Sequence, residues 1–266
     1  MNNTASTSQH PVVLGGCGNT ASGFGAIAGG SSTTASGNSA VALGRGIASG
    51  TGSVALGAGQ ASGDSSAAFG TGTLAQGVST LAYGDGTAAI ANYSTSLGYR
   101  TQTRGGIGQW SLSSFSFGSY GESQQSLFTA GNSGSLTTAG SLVLSLDGTG
   151  TTNLIIPYGN NRLWNVQINW NAVVTSISGT ATGVTVGDVI TGNTELAFKR
   201  VGGTSSVVGI IRNVSTYDAS MSAATMTYSA GASQELALTF TGPTFAGGGS
   251  VTVRSVARVQ LTETAW

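Results

Sequence analysis

The chain has 266 residues, with 44 Gly, 3 Pro, one Cys, one His, nine acidic and nine basic residues, and so no net charge. Charged residues are 7% of the total, which leaves no basic stripe for a phosphate backbone and no polybasic patch for a membrane; nucleic acid is not an expected partner. The single Cys17 excludes an internal disulfide framework and a Cys/His zinc module, no metal or other cofactor is expected, and a 39% apolar fraction argues against disorder.

In chain order, residues 1–14 are an N-terminal segment, polar from Met1 to His10 with a short apolar run at Val12, Val13 and Leu14. It lacks the basic start and apolar run of a targeting signal, so assembly in the cytoplasm is expected. No run approaches the ~20 apolar residues of a membrane-spanning helix, and no heptad stripe suggests a coiled coil.

Residues 15–140 hold 29 of the 44 glycines and six of the 18 charges. A four-residue unit recurs there: Val41-Ala42-Leu43-Gly44, Val54-Ala55-Leu56-Gly57, Ala67-Ala68-Phe69-Gly70, Leu81-Ala82-Tyr83-Gly84 and Thr95-Ser96-Leu97-Gly98. With looser copies ending at Gly15 and Gly29, the closing glycines are almost evenly spaced from Gly15 to Gly98. A second unit, Ala35-Ser36-Gly37 or Ala61-Ser62-Gly63, repeats in phase with it. Two short strands and two turns per period predict a β-solenoid whose coils pair with their neighbours. Alternation puts Val54 and Leu56 on one face and Ala55 on the other. The larger pair is expected inside, which leaves the small-residue face for other chains and predicts a homotrimer or similar oligomer.

The units Gly52-Ser53-Val54-Ala55-Leu56-Gly57 and Ala61-Ser62-Gly63-Asp64-Ser65-Ser66-Ala67 resemble the head repeats of trimeric autotransporter adhesins of the YadA type, over roughly residues 12 to 100. The resemblance implies a left-handed parallel β-roll that exists as an intertwined trimer and serves attachment. From 105 to 132 the repeat loosens, the interval from Gly98 to Gly118 is longer than any before it, and aromatics enter. This suggests a bulged coil with an inserted loop, Phe115 and Phe117 packing the end of the roll and Trp110 offered to a ligand.

Residues 141–266 alternate with period two. Trp164, Val166, Ile168, Trp170 and Ala172 share one face and Asn165, Gln167, Asn169 and Asn171 the other; Val251 to Leu261 does likewise. Some nine antiparallel strands predict a β-sandwich or jelly roll, and the chain as a whole is expected to be all-β. The segments Asn161-Arg162-Leu163-Trp164, Glu195-Leu196-Ala197-Phe198-Lys199-Arg200, Val208-Gly209-Ile210-Ile211 and Val253 through Glu263 resemble the C-terminal domains of bacteriophage tail fibres. That resemblance implies a trimeric tip domain contacting a host surface, with no binding residue carried over.

A nucleophile–His–acid triad would depend on His10, the only His, which lies in the polar opening segment. None of the nine acids are close in sequence, although a carboxylate pair assembled across strands or subunits is open. The expectation is a non-enzymatic homotrimeric tail fibre of a phage or prophage, a virion protein whose partners are other tail proteins and a bacterial cell-surface glycan or outer-membrane receptor. The alternatives are a surface adhesin of the autotransporter class, a structural virion component and a polysaccharide-cleaving tailspike. Candidate receptor contacts are residues with exposed aromatic or amide groups, mostly in turns: Tyr158, Asn160, Asn161, Tyr217, Asp218 and Trp110. Each has an alternative role as turn former or strand-end packing.

Overall fold

The structure, a computed structural model, describes residues 2–6, 10–151, 154–155 and 159–266. Apart from a 3-10 turn at Ala219–Met221 its regular elements are all β-strands. The chain forms two compact units, Met1–Gln125 and Ser126–Trp266.

The first unit is a β-solenoid. From Val12–Cys17 to Trp110–Ser113, eight strands stack in parallel and in register, a column about 34 Å long at the usual strand spacing. Leu43, Leu56, Phe69, Tyr83, Leu97 and Leu112 lie one above another, and so do Gly44, Gly57, Gly70, Gly84 and Gly98. A second column of shorter strands runs from Thr4–Ala5 through Thr20–Ala21 and Thr34–Ala35 to Gln102–Thr103. Residues 4–5 therefore already belong to the roll. The next rung after Gly98 closes at Ser113, not Gly118, so the inserted residues follow that rung rather than interrupting it.

The interior is the reverse of the expectation. Ala28, Ala42, Ala55, Ala68 and Ala82 from the long strands and Ala21, Ala35, Ala48, Ala61, Ala75 and Ala89 from the short ones are fully buried. The larger residues point outward: Leu56 is 36% exposed, Tyr83 59% and Leu112 56%. So short a coil brings its two strands close enough that a single methyl from each side fills the space between them. At the later rungs hydroxyls replace methyls and satisfy one another, Ser96 with Thr101 at 2.7 Å and Ser94 with Thr103 at 2.8 Å. Phe115 and Phe117 touch edge to face at 5.5 Å but remain exposed, so they do not pack the end of the roll within one chain.

Rung spacing explains the repeat's glycines. A Cβ on Gly63 would collide with the carbonyl oxygen of Gly77 in the next coil, and the same holds up the stack from Gly23. At the other corner Asn38, Asp64 and Asn92 accept hydrogen bonds from the backbone N–H of Phe24, Thr51 and Val78 in the preceding coil, at 3.3, 2.8 and 3.0 Å. These side chains tie each turn to its neighbour.

The second unit contains a broad antiparallel sheet. Arg162–Gly179 lies between Gly249–Ala265 and Val189–Val201, and Thr204–Tyr217 extends the sheet beyond the latter. Gln125–Leu136 pairs with Gly249–Ala265, which is why the unit begins near residue 126 rather than at the composition shift near 140. A smaller sheet joins Ser141–Val143, Leu236–Thr241 and Thr225–Ala230. The period-two pattern sorts as expected: Trp164, Val166, Ile168, Trp170 and Ala172 are buried, and Trp170 meets Phe240 of the smaller sheet with ring centroids 6.2 Å apart. One face of each sheet thus closes on a common core with Leu236, Leu238 and Phe198. Ile155 makes an isolated bridge to Leu236.

Candidate functional site

The other face of the broad sheet mixes polar side chains with exposed Leu163, Val214 and Val256, and its register makes a grid. One row runs Gln260, Gln167, Glu195, Arg212; the next Arg258, Asn169, Asn193, Val214; the third Val256, Asn171, Thr191, Thr216. The last two rows, with Arg212, line a groove of about 620 Å³ open to solvent. Asn193 Nδ2 donates to Asn169 Oδ1 at 2.6 Å, and Asn165 Nδ2 donates to Glu195 Oε1 at 3.1 Å. Amides so paired keep further donors and acceptors free for hydroxyl groups.

The floor is held from beneath. Gly192 stands opposite Trp170, and a Cβ there would collide with the indole. Thr194, buried, donates to Asn213 Oδ1 at 3.0 Å and shares a 2.6 Å hydrogen bond with the Tyr228 hydroxyl of the smaller sheet. Burial pushes the Tyr228 phenol up to about 12.

The six sequence candidates do not converge on this groove. Tyr158 lies outside the described residues. Asn160 accepts from Gly203 N–H at 2.9 Å, and the left-handed Asn161 accepts through its carbonyl from Trp266 N–H at 3.2 Å. Both sit beside the Arg162 end of the sheet. Tyr217 pairs with Ile190 at the opposite end, where Asp218 accepts from Val189 N–H at 2.8 Å. Tyr217 is exposed; Asn160, Asn161 and Asp218 have turn and capping roles. Trp110 is in the other unit, 58% exposed on the outer face of its rung. The residues that do come together are Asn169, Asn171, Asn193, Arg212 and Arg258; the sequence pattern showed Asn169, Asn171 and Arg258 as water-facing members of alternating strands and gave no such signal for Asn193 and Arg212.

Several carboxylates have structural partners. Glu263 is buried in an ion pair with Arg162, and Asp188 accepts from Thr185 N–H and the Ser220 hydroxyl. His10 is exposed beside Phe24. Among the described residues no group of three His, Cys, Asp or Glu side chains is placed to hold a metal ion, and no helix is long and apolar enough to cross a membrane.

No protein-family model matches the chain, and no curated protein sequence matches it. Among solved structures, the crystal structure of the Acinetobacter baumannii phage AM24 tailspike protein is similar over 90% of this chain and 47% of its own, with 12% identity and a TM-score of 0.34. The chain therefore spans about half the length of that protein.

Proposed function

We propose that this chain is the homotrimeric attachment protein of a phage or prophage tail, its solenoid the oligomerising body and Ser126–Trp266 the part that meets a bacterial surface glycan or outer-membrane receptor. The observation that carries the binding role is the open groove on the broad sheet, where Asn169, Asn171 and Asn193 offer amides that can hydrogen-bond the hydroxyls of a glycan. The oligomeric role is supported by the outward column Leu43, Leu56, Phe69, Tyr83, Leu97, Leu112, a lengthwise apolar stripe over a core of alanines. Three copies multiply a shallow site by avidity. The same fold would serve a surface adhesin, a structural virion part or a glycan-cleaving spike.

Binding of labelled protein to intact cells tests the site. Replacing Asn169 and Asn193 together by alanine is expected to weaken binding at least about tenfold with oligomeric mass unchanged, two hydrogen-bonding amides being lost. Asn161→Ala and Tyr217→Ala, at opposite ends of the sheet, are expected to bind like the parent. Undiminished binding by the double variant would remove the groove from the account.

A further inference from the structure

We infer that the groove takes an acidic saccharide, a glycan segment bearing carboxylate or phosphate groups read by Arg258 and Arg212. This rests on the attachment reading and names its ligand class. Although the chain has no net charge, the register places Lys199, Arg212, Arg254 and Arg258 on the groove face with Glu195 as the carboxylate among them. Glu195 is engaged by Asn165. The acids that balance these cations lie elsewhere, Glu263 and Glu235 buried and Asp188 and Asp218 bonded at the Val189 end. Arg212 and Arg258 are exposed, and among the described residues neither side chain has a hydrogen-bond or ion-pair partner.

Their strands, Thr204–Tyr217 and Gly249–Ala265, flank the two strands that carry Asn193 and Asn169 and lie about 14 Å from each other at the usual strand spacing. Asn169 and Asn193 lie between them in the same row as Arg258. A guanidinium offers a planar fork matched to carboxylate and phosphate oxygens. A neutral glycan laid across the groove would strip water from two cations and return no charge. An acidic one supplies the counter-charge at the rims while its hydroxyls meet the amides between.

The test uses the full-length protein and surface polysaccharide extracted from a strain that it binds, in native form, with its carboxylates amidated through carbodiimide activation, and with its phosphates removed. Titration calorimetry is expected to show a loss of about tenfold or more on neutralising the acid groups. Arg212→Gln and Arg258→Gln should each lose about tenfold on the native glycan, with a shallower salt dependence. Arg258→Lys, which keeps charge without the fork, should lose less than Arg258→Gln. If the bound polysaccharide carries no acid group, or if neutralised glycan and both Gln variants bind like the parents while the Asn169/Asn193 double variant does not, the acidic class is overturned and the groove stands. If no strain is bound at all, the attachment reading fails and this inference with it.

Discussion

Gly63 shows how one atom governs the roll. Its counterparts Gly23, Gly37 and Gly50 recur once per coil because the next coil's carbonyl occupies the place of the missing Cβ. Gly63→Ala is expected to lower stability by about 3 kcal/mol, an overpacking against backbone that cannot rotate away; thermal unfolding checks it, and an unchanged midpoint would show the coils to be further apart than described. Gly192→Ala acts on the second unit by driving the Trp170 indole off its seat, and should shift tryptophan fluorescence. Tyr228 gives a pH signature. Its pKa in the fold, about 12, lies above the ordinary phenol value of 10.0, so the folded state holds the proton longer than the unfolded chain. Stability contributed by the neutral phenol is complete below pH 10 and is lost as pH rises towards 12. Tyr228→Phe should flatten that limb of the unfolding profile, measured by denaturant titration from pH 9 to 12.

Among the elements, the rungs of the solenoid were legible because their signals are local: a glycine at each corner and an apolar residue at fixed distance from it. Their facing was not. Val54 and Leu56 carry most of the hydrophobic surface of their rung, yet the space between its strands admits only Ala55 and Ala61. Inside and outside are set here by how far apart two strands lie, which alternation does not encode. The consequence is a stripe of outward side chains that a single chain leaves partly exposed, the surface proposed to meet other copies. If the proposed trimer forms through this stripe, Leu56→Asp with Tyr83→Asp, changes on the outer face that leave the alanine core untouched, is expected to lower the mass by light scattering to that of smaller species. Persistence of the trimer mass would place the contact on another face.

Over the whole molecule the two patterns were separable by composition, but their boundary falls at Ser126 rather than near residue 140. Gln125–Leu136 has the Gly and Ser content of the roll and the pairing of the second unit, and only its partner Gly249–Ala265, at the far end of the chain, reveals it. The groove was hidden for the same reason, since Arg258, Asn169, Asn193 and Arg212 come from four strands joined by register rather than by sequence. The proposed attachment rests on weak sites gathered by a trimer. The most direct test is the binding of labelled full-length protein to intact cells across a bacterial panel, with the mass of the same sample determined by light scattering. The expected result is three times the 26.2 kDa of one chain with saturable binding confined to particular strains; a single-chain mass, or a trimer that no strain binds, would overturn the attachment role.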